Sequence, residues 1–81
     1  MKLIFAQHFV RQYKKLSQKL QLGVDKKLAL LVSNLRHPSL HAKKYDEDND
    51  IWQARIDKNY RFYFRIRGDT YEILSVTPHP K

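Results

Sequence analysis

One stretch, Tyr60-Arg61-Phe62-Tyr63-Phe64-Arg65-Ile66-Arg67, sets three arginines where phosphate chemistry could be done. Apolar and basic side chains alternate along it, and a β-strand sends successive side chains to opposite faces. Tyr60, Phe62, Phe64 and Ile66 then share one face, and Arg61, Tyr63, Arg65 and Arg67 share the other. A guanidinium binds phosphate through paired hydrogen bonds and stays charged at every relevant pH. Tyr63 among the arginines offers a ring on which a base can stack. Arg55 lies on the polar side of a second alternation, Trp52-Gln53-Ala54-Arg55-Ile56, which puts it on the same side of the sheet. A plain solvated face, where arginines only discourage edge-to-edge association, accounts for the same row.

The other group suited to chemistry is His79, in Ser75-Val76-Thr77-Pro78-His79-Pro80-Lys81. An imidazole moves protons near neutral pH. If the last strand pairs with the arginine strand, His79 reaches the same end of the sheet as the basic row. A terminal histidine with no role fits the spacing too. His37 and His41 have metal-ligand spacing, but Pro38 between them interrupts the helix such a pair needs. Asp46, Asp48 and Asp50 imitate the start of a calcium loop. Ile51 and Asp57, however, occupy the positions of its glycine and closing glutamate. With no cysteine there is no thiolate chemistry or thiolate metal site. Neither a metal nor a cofactor is expected.

Two helices must support such a sheet. Phe9, Tyr13, Leu16 and Leu20 recur at spacings of four, three and four, which predicts a helix from about Gln7 to Leu20. Gly23 is expected to close it and Asp25 to begin a second helix, whose stripe is Val24, Leu28, Leu31 and Leu35 and which Pro38 ends. Residues 2–6 read as a short strand or a lead-in to the first helix. Strands are also expected near 40–45, from Trp52, over 60–67 and over 71–77, with turns at Asp46–Asp50, Asp57–Asn59 and Gly68-Asp69. The fold class is therefore α+β, with an N-terminal helix hairpin packed on one face of a small twisted antiparallel sheet.

Eighty-one residues suit one domain spanning 1–81, and 42% hydrophobic residues are enough for a packed core rather than a disordered chain. The net charge of +8 is uneven: residues 1–44 carry ten Lys/Arg against one acid, and residues 45–81 carry six against seven. Such a field draws in polyanions, so nucleic acid, the ribosome or an acidic protein are the partners expected. The opening MKLIFAQHFV is too short an apolar run for a signal peptide, and no run approaches the roughly 20 residues that cross a membrane. A cytoplasmic protein is expected.

Several segments together resemble the RelE/ParE toxin superfamily: Leu35-Arg36-His37-Pro38-Ser39-Leu40-His41-Ala42-Lys43-Lys44-Tyr45, Ile51-Trp52-Gln53-Ala54-Arg55-Ile56, Tyr60-Arg61-Phe62-Tyr63-Phe64, Gly68-Asp69-Thr70-Tyr71 and Pro78-His79. The likeness runs over essentially the whole chain. It implies the toxin of a type II toxin–antitoxin pair. Where many RelE-like relatives continue past the His into a short tail or helix, this sequence stops at Lys81, and no C-terminal helix is expected. RelE-like members cleave mRNA in the ribosomal A site without a metal, ParE-like members poison DNA gyrase, and both are covered by a cognate antitoxin. Carried over by position, Arg61 matches the central strand arginine, Arg55 a basic position on the strand before it, and His79 a position held by His or Arg. Lys43 and Lys44 match basic residues before the first turn. The resemblance thus implies Arg61, His79 and Arg55 as catalytic and Lys43 and Lys44 as RNA-binding, and the outer face of the arginine strand adds Tyr63, Arg65 and Arg67 as RNA-binding. A gyrase inhibitor, or a basic antitoxin-binding module with little toxicity, remain the alternatives.

Overall fold

A computed structural model describes residues 1–78 of the chain. The elements are β1 (Lys2–Phe5), α1 (Gln7–Lys14), α2 (Gln18–Ser33), a 3-10 turn (Pro38–Leu40), β2 (Lys43–Asp46), β3 (Ile51–Arg55), β4 (Tyr60–Arg67) and β5 (Thr70–Pro78). The five strands make one sheet in the order β1-β5-β4-β3-β2. β2 to β5 form the expected antiparallel meander, and β1 adds to β5 in parallel. The sheet is therefore mixed rather than wholly antiparallel. The lead-in segment becomes its edge strand because Lys2 and Ala6 donate backbone hydrogen bonds to Asp69 and Ile73 at either end of it.

The alternation in β4 sorts as its residue types require. Phe62 and Phe64 are fully buried beneath the helices. Around them lie Val24, Leu28 and Leu31 of α2, Phe9 of α1, Ala54 and Ile56, and Tyr71, Ile73 and Val76 of β5. Each large side chain buried there contributes about 1.5–3 kcal/mol. Sliding β4 by one residue would put arginines in that core and phenylalanines in water, so its pairing with β3 and β5 is firmly set.

The helix boundaries differ from those the apolar spacing suggests. The first helix stops at Lys14, because the Ser17 hydroxyl accepts a hydrogen bond from the Leu20 N–H at 3.2 Å and starts the second. Lys15 and Leu16 tighten the intervening turn by bonding the carbonyls of Gln12 and Tyr13. Gly23 lies inside α2 rather than closing α1, and a Cβ there would sit 3.5 Å from Ile56 Cγ2. Glycine lies here within a helix, at ordinary contact distance from Ile56, and not at a helix end. The helices are tied by the Tyr13 hydroxyl, which donates to the Asp25 carboxylate at 2.7 Å. Beyond α2, Pro38 begins a 3-10 turn that buries Leu40 completely, so the strand expected from residue 40 starts at Lys43. No helix follows β5 among the described residues, and none is long and apolar enough to cross a membrane.

Candidate nucleic-acid interface

The sheet face turned away from the core carries Lys43, Arg55, Arg61, Arg65 and Arg67, but they fall into separate groups. Arg55 and Arg61 lie directly opposite each other on β3 and β4. Two like charges in that position repel, and among the described residues neither has a carboxylate within ion-pairing distance. Arg61 is only 8% exposed. Its Nη1 donates to the carbonyls of Asp57 at 2.7 Å and Tyr60 at 3.0 Å, which fixes the guanidinium at the β3–β4 turn. The Asp57 carboxylate accepts from the N–H groups of Asn59 and Tyr60, which holds the turn. The Nε of Arg55 is buried, and among the described residues it has no acceptor. A buried donor without a partner is costly.

These arginines, with His41, Ala42, Lys43 and Gln53, line an open hollow of about 490 Å³. Lys43 reaches it because it pairs with Gln53 across β2 and β3. Lys44, one residue on, points the other way, as strand geometry demands. It lies 5.5 Å over the Trp52 ring and pairs with Asp50, whose carboxylate raises its pKa above the ordinary lysine value. Lys44 is therefore not brought to the Arg55–Arg61 hollow.

Beside the basic hollow is an aromatic one of about 450 Å³, lined by Tyr63, Tyr45, Ile51 and His8, with Leu74, Ser75, Thr77 and Pro78 along β5. The rings of Tyr45 and Tyr63 are 4.9 Å apart at their centroids. Tyr45, exposed to 62%, lines this hollow, and alternation alone does not place it there. The pairing of β2 with β3 shifts between Lys44 and Asp46, so Tyr45 falls in a bulge. A second shift, after Tyr63, leaves Leu74 as the extra residue on β5 and widens this hollow's floor.

Arg65 and Arg67 belong to the far end of β4. Glu72 of β5 lies 3.7 Å from the Nη1 of Arg65 and 3.4 Å from the Nε of Arg67, and Arg65 Nε also donates to the Asn49 carbonyl. Their charge is partly cancelled and they line neither hollow. The arginine row therefore divides in two. His79 lies outside the described residues. Pro78, before it, pairs with Tyr60 next to Arg61. The Asp46–Asp50 run is a turn, as expected: Asp46 accepts from Asn49, which lowers its pKa below the ordinary carboxylate value. Among the described residues no cluster of acids and histidines could hold a metal ion.

No family model matches the chain, and no curated protein matches it. Solved structures do. A YoeB/ParE toxin from Agrobacterium tumefaciens superposes with a TM-score of 0.82 over 99% of this chain and 100% of its own, at 16% identity. The heterotetrameric YoeB–YefM toxin–antitoxin complex from Staphylococcus aureus gives 0.79, covering 99% and 98% at 16% identity. The intact RelBE toxin–antitoxin complex of E. coli gives 0.75, also covering 99% and 98% at 16% identity. Two helices on a five-stranded sheet, matched end to end, give this chain the fold of the RelE and YoeB toxins.

Proposed function

We propose that the chain is the toxin of a toxin–antitoxin pair and an endoribonuclease that cuts mRNA using the substrate's own 2′-hydroxyl. The observation that carries this reading is the Arg55–Arg61 pair: two cross-strand partners whose guanidiniums are held by His41 and by the turn carbonyls, with no carboxylate to balance them among the described residues. Such a pair is relieved by a phosphate, and more by a phosphate gaining charge during attack. The two hollows divide the work that single-stranded RNA requires. Arg55, Arg61 and Lys43 take the backbone, and Tyr63 with Tyr45 takes a base by stacking. Cleavage joins the 2′-oxygen to phosphorus and expels the 5′-oxygen, so a proton must leave the first and reach the second. His79, after the strand that pairs beside Arg61, is the candidate for one of these transfers. With arginines stabilising the charge, the reaction as proposed calls for no metal.

The partner is an acidic antitoxin that covers this face, opposite in sign to a net charge of +8. Solved neighbours bound to antitoxins support that choice. The test is inducible expression without antitoxin, with 5′-end mapping of cellular mRNA for wild type, His79→Ala and Arg61→Lys. New 5′-hydroxyl ends within coding sequence, lost in the Arg61→Lys strain, are expected. Intact messages together with inhibited gyrase would replace this reading with the ParE-like one, and harmless overproduction of folded protein would leave only a binding module.

A further inference from the structure

His41 is held where its ring can take part in the reaction. Its backbone is left-handed, with φ 48° and ψ 42°. A side chain with a Cβ rarely adopts this geometry, and it is found where surroundings impose it. The constraint is visible on both sides. Leu40 is locked in the core, and three residues later Lys43 enters β2, so the chain must turn sharply between them. The His41 N–H closes the turn on the Pro38 carbonyl. As a result the exposed imidazole lies over the basic hollow, with its Nε2 3.4 Å from Arg55 Nη1. A guanidinium has only donors, so in this contact Nε2 is the acceptor and the ring proton belongs on Nδ1.

We propose that His41 Nε2 accepts the 2′-hydroxyl proton during RNA cleavage. This rests on the ribonuclease reading above. An incoming phosphate is the stronger acceptor for Arg55, and drawing Arg55 onto it frees the Nε2 lone pair beside the adjacent ribose. The proton passes from the 2′-oxygen to Nε2 as the O2′–P bond forms and the P–O5′ bond breaks. The departing 5′-oxygen takes a proton from water or from a second acid. The products are a 2′,3′-cyclic phosphate and a free 5′-hydroxyl, and His41 then returns its proton to solvent. The charged and titratable neighbours of the ring are Lys43 from β2, Arg55 from β3, Arg61 from β4, and Arg36 and His37 from the segment before it.

The test is single-turnover cleavage of ribosome-bound message by the full chain between mildly acidic and mildly alkaline pH. Wild type is compared with His41→Gln and His41→Gly, and with His41→Gly in added imidazole. Glycine suits the left-handed backbone, so His41→Gly keeps the fold, which thermal melting checks. A fall of about 10²–10⁴-fold is expected in both variants, as for loss of a general base. The acidic limb of the pH profile should flatten and imidazole should restore rate to His41→Gly. Wild-type rate in the variants, or a slower rate with the profile unchanged and no rescue, overturns the assignment. If wild type cuts no RNA, it is the ribonuclease reading itself that fails; if Arg61→Lys is slow but His41→Gly is not, only the inference about His41 fails.

Discussion

Gln53 of β3 and Tyr63 of β4 lie directly opposite each other, on the seam between the hollow of arginines and the hollow of tyrosines. A strand of RNA crossing that seam meets charge on one side and stacking surface on the other. Tyr63→Ala and Tyr45→Ala are expected to weaken binding of single-stranded RNA by about 1–3 kcal/mol each, the worth of one stacked base. Tyr45→Phe should change little, because the ring rather than the hydroxyl does the stacking. Fluorescence anisotropy with a short labelled RNA measures both.

The division of the arginine row makes a second prediction. Arg65 and Arg67 share Glu72, whereas Arg55 and Arg61 share no acid among the described residues. Arg55→Ala should lower the slope of log affinity against log salt by about 0.7, the share of one phosphate contact on a single strand. Arg67→Ala should leave that slope unchanged. Equal effects from the two would mean that the row binds RNA along its whole length.

Gly23 allows a prediction about stability. It sits in the interior of α2, where glycine is about 0.5–1 kcal/mol less favourable than alanine. A Cβ there meets Ile56 Cγ2 at 3.5 Å, an ordinary contact. Gly23→Ala should therefore raise the melting temperature by roughly 2–8 °C. A lower melting temperature would show that α2 must approach the sheet more closely than the structure has it.

The Tyr13–Asp25 bond predicts a pH dependence. The bond to the Asp25 carboxylate, and then burial, raise the Tyr13 pKa above its ordinary 10.0. A group whose pKa is higher folded than unfolded contributes stability that is complete below the unfolded value and lost as pH rises through the folded one. The bond should thus stabilise fully below pH 10.0 and fade above it. Tyr13→Phe should cost about 0.5 kcal/mol at neutral pH, the low end for a hydrogen bond in contact with water, and should abolish this alkaline decline. Chemical denaturation at several pH values reads both effects.

Alternation in β3 and β4 was legible because burial of Phe62 and Phe64 leaves one pairing, which also places Arg55 opposite Arg61. The helix boundary was not, since Phe9, Tyr13, Leu16 and Leu20 keep helical spacing across a turn that Ser17 makes by a cap. The resemblance carries over Lys43 and Lys44 together as RNA-binding, yet adjacent strand residues face opposite ways, and Lys44 lies over Trp52. Tyr45 and Leu74 depend on bulges, which shift the register without any glycine or proline to mark them. The neutralisation of Arg65 required knowing that Glu72 is its partner across β4 and β5. The place of His41 came from a left-handed turn that Pro38 and the buried Leu40 impose together.

The claim on which everything else rests is that the Arg55–Arg61 pair stabilises phosphate charge during strand cleavage. It is tested most directly by the single-turnover rate of ribosome-bound message cleavage for Arg61→Lys against wild type, with folding checked by melting. Lysine keeps the charge but loses the planar fork. A fall on the order of 10²–10³ is predicted, as for removal of one preorganised donor. A folded Arg61→Lys protein that cuts at the wild-type rate would contradict the account.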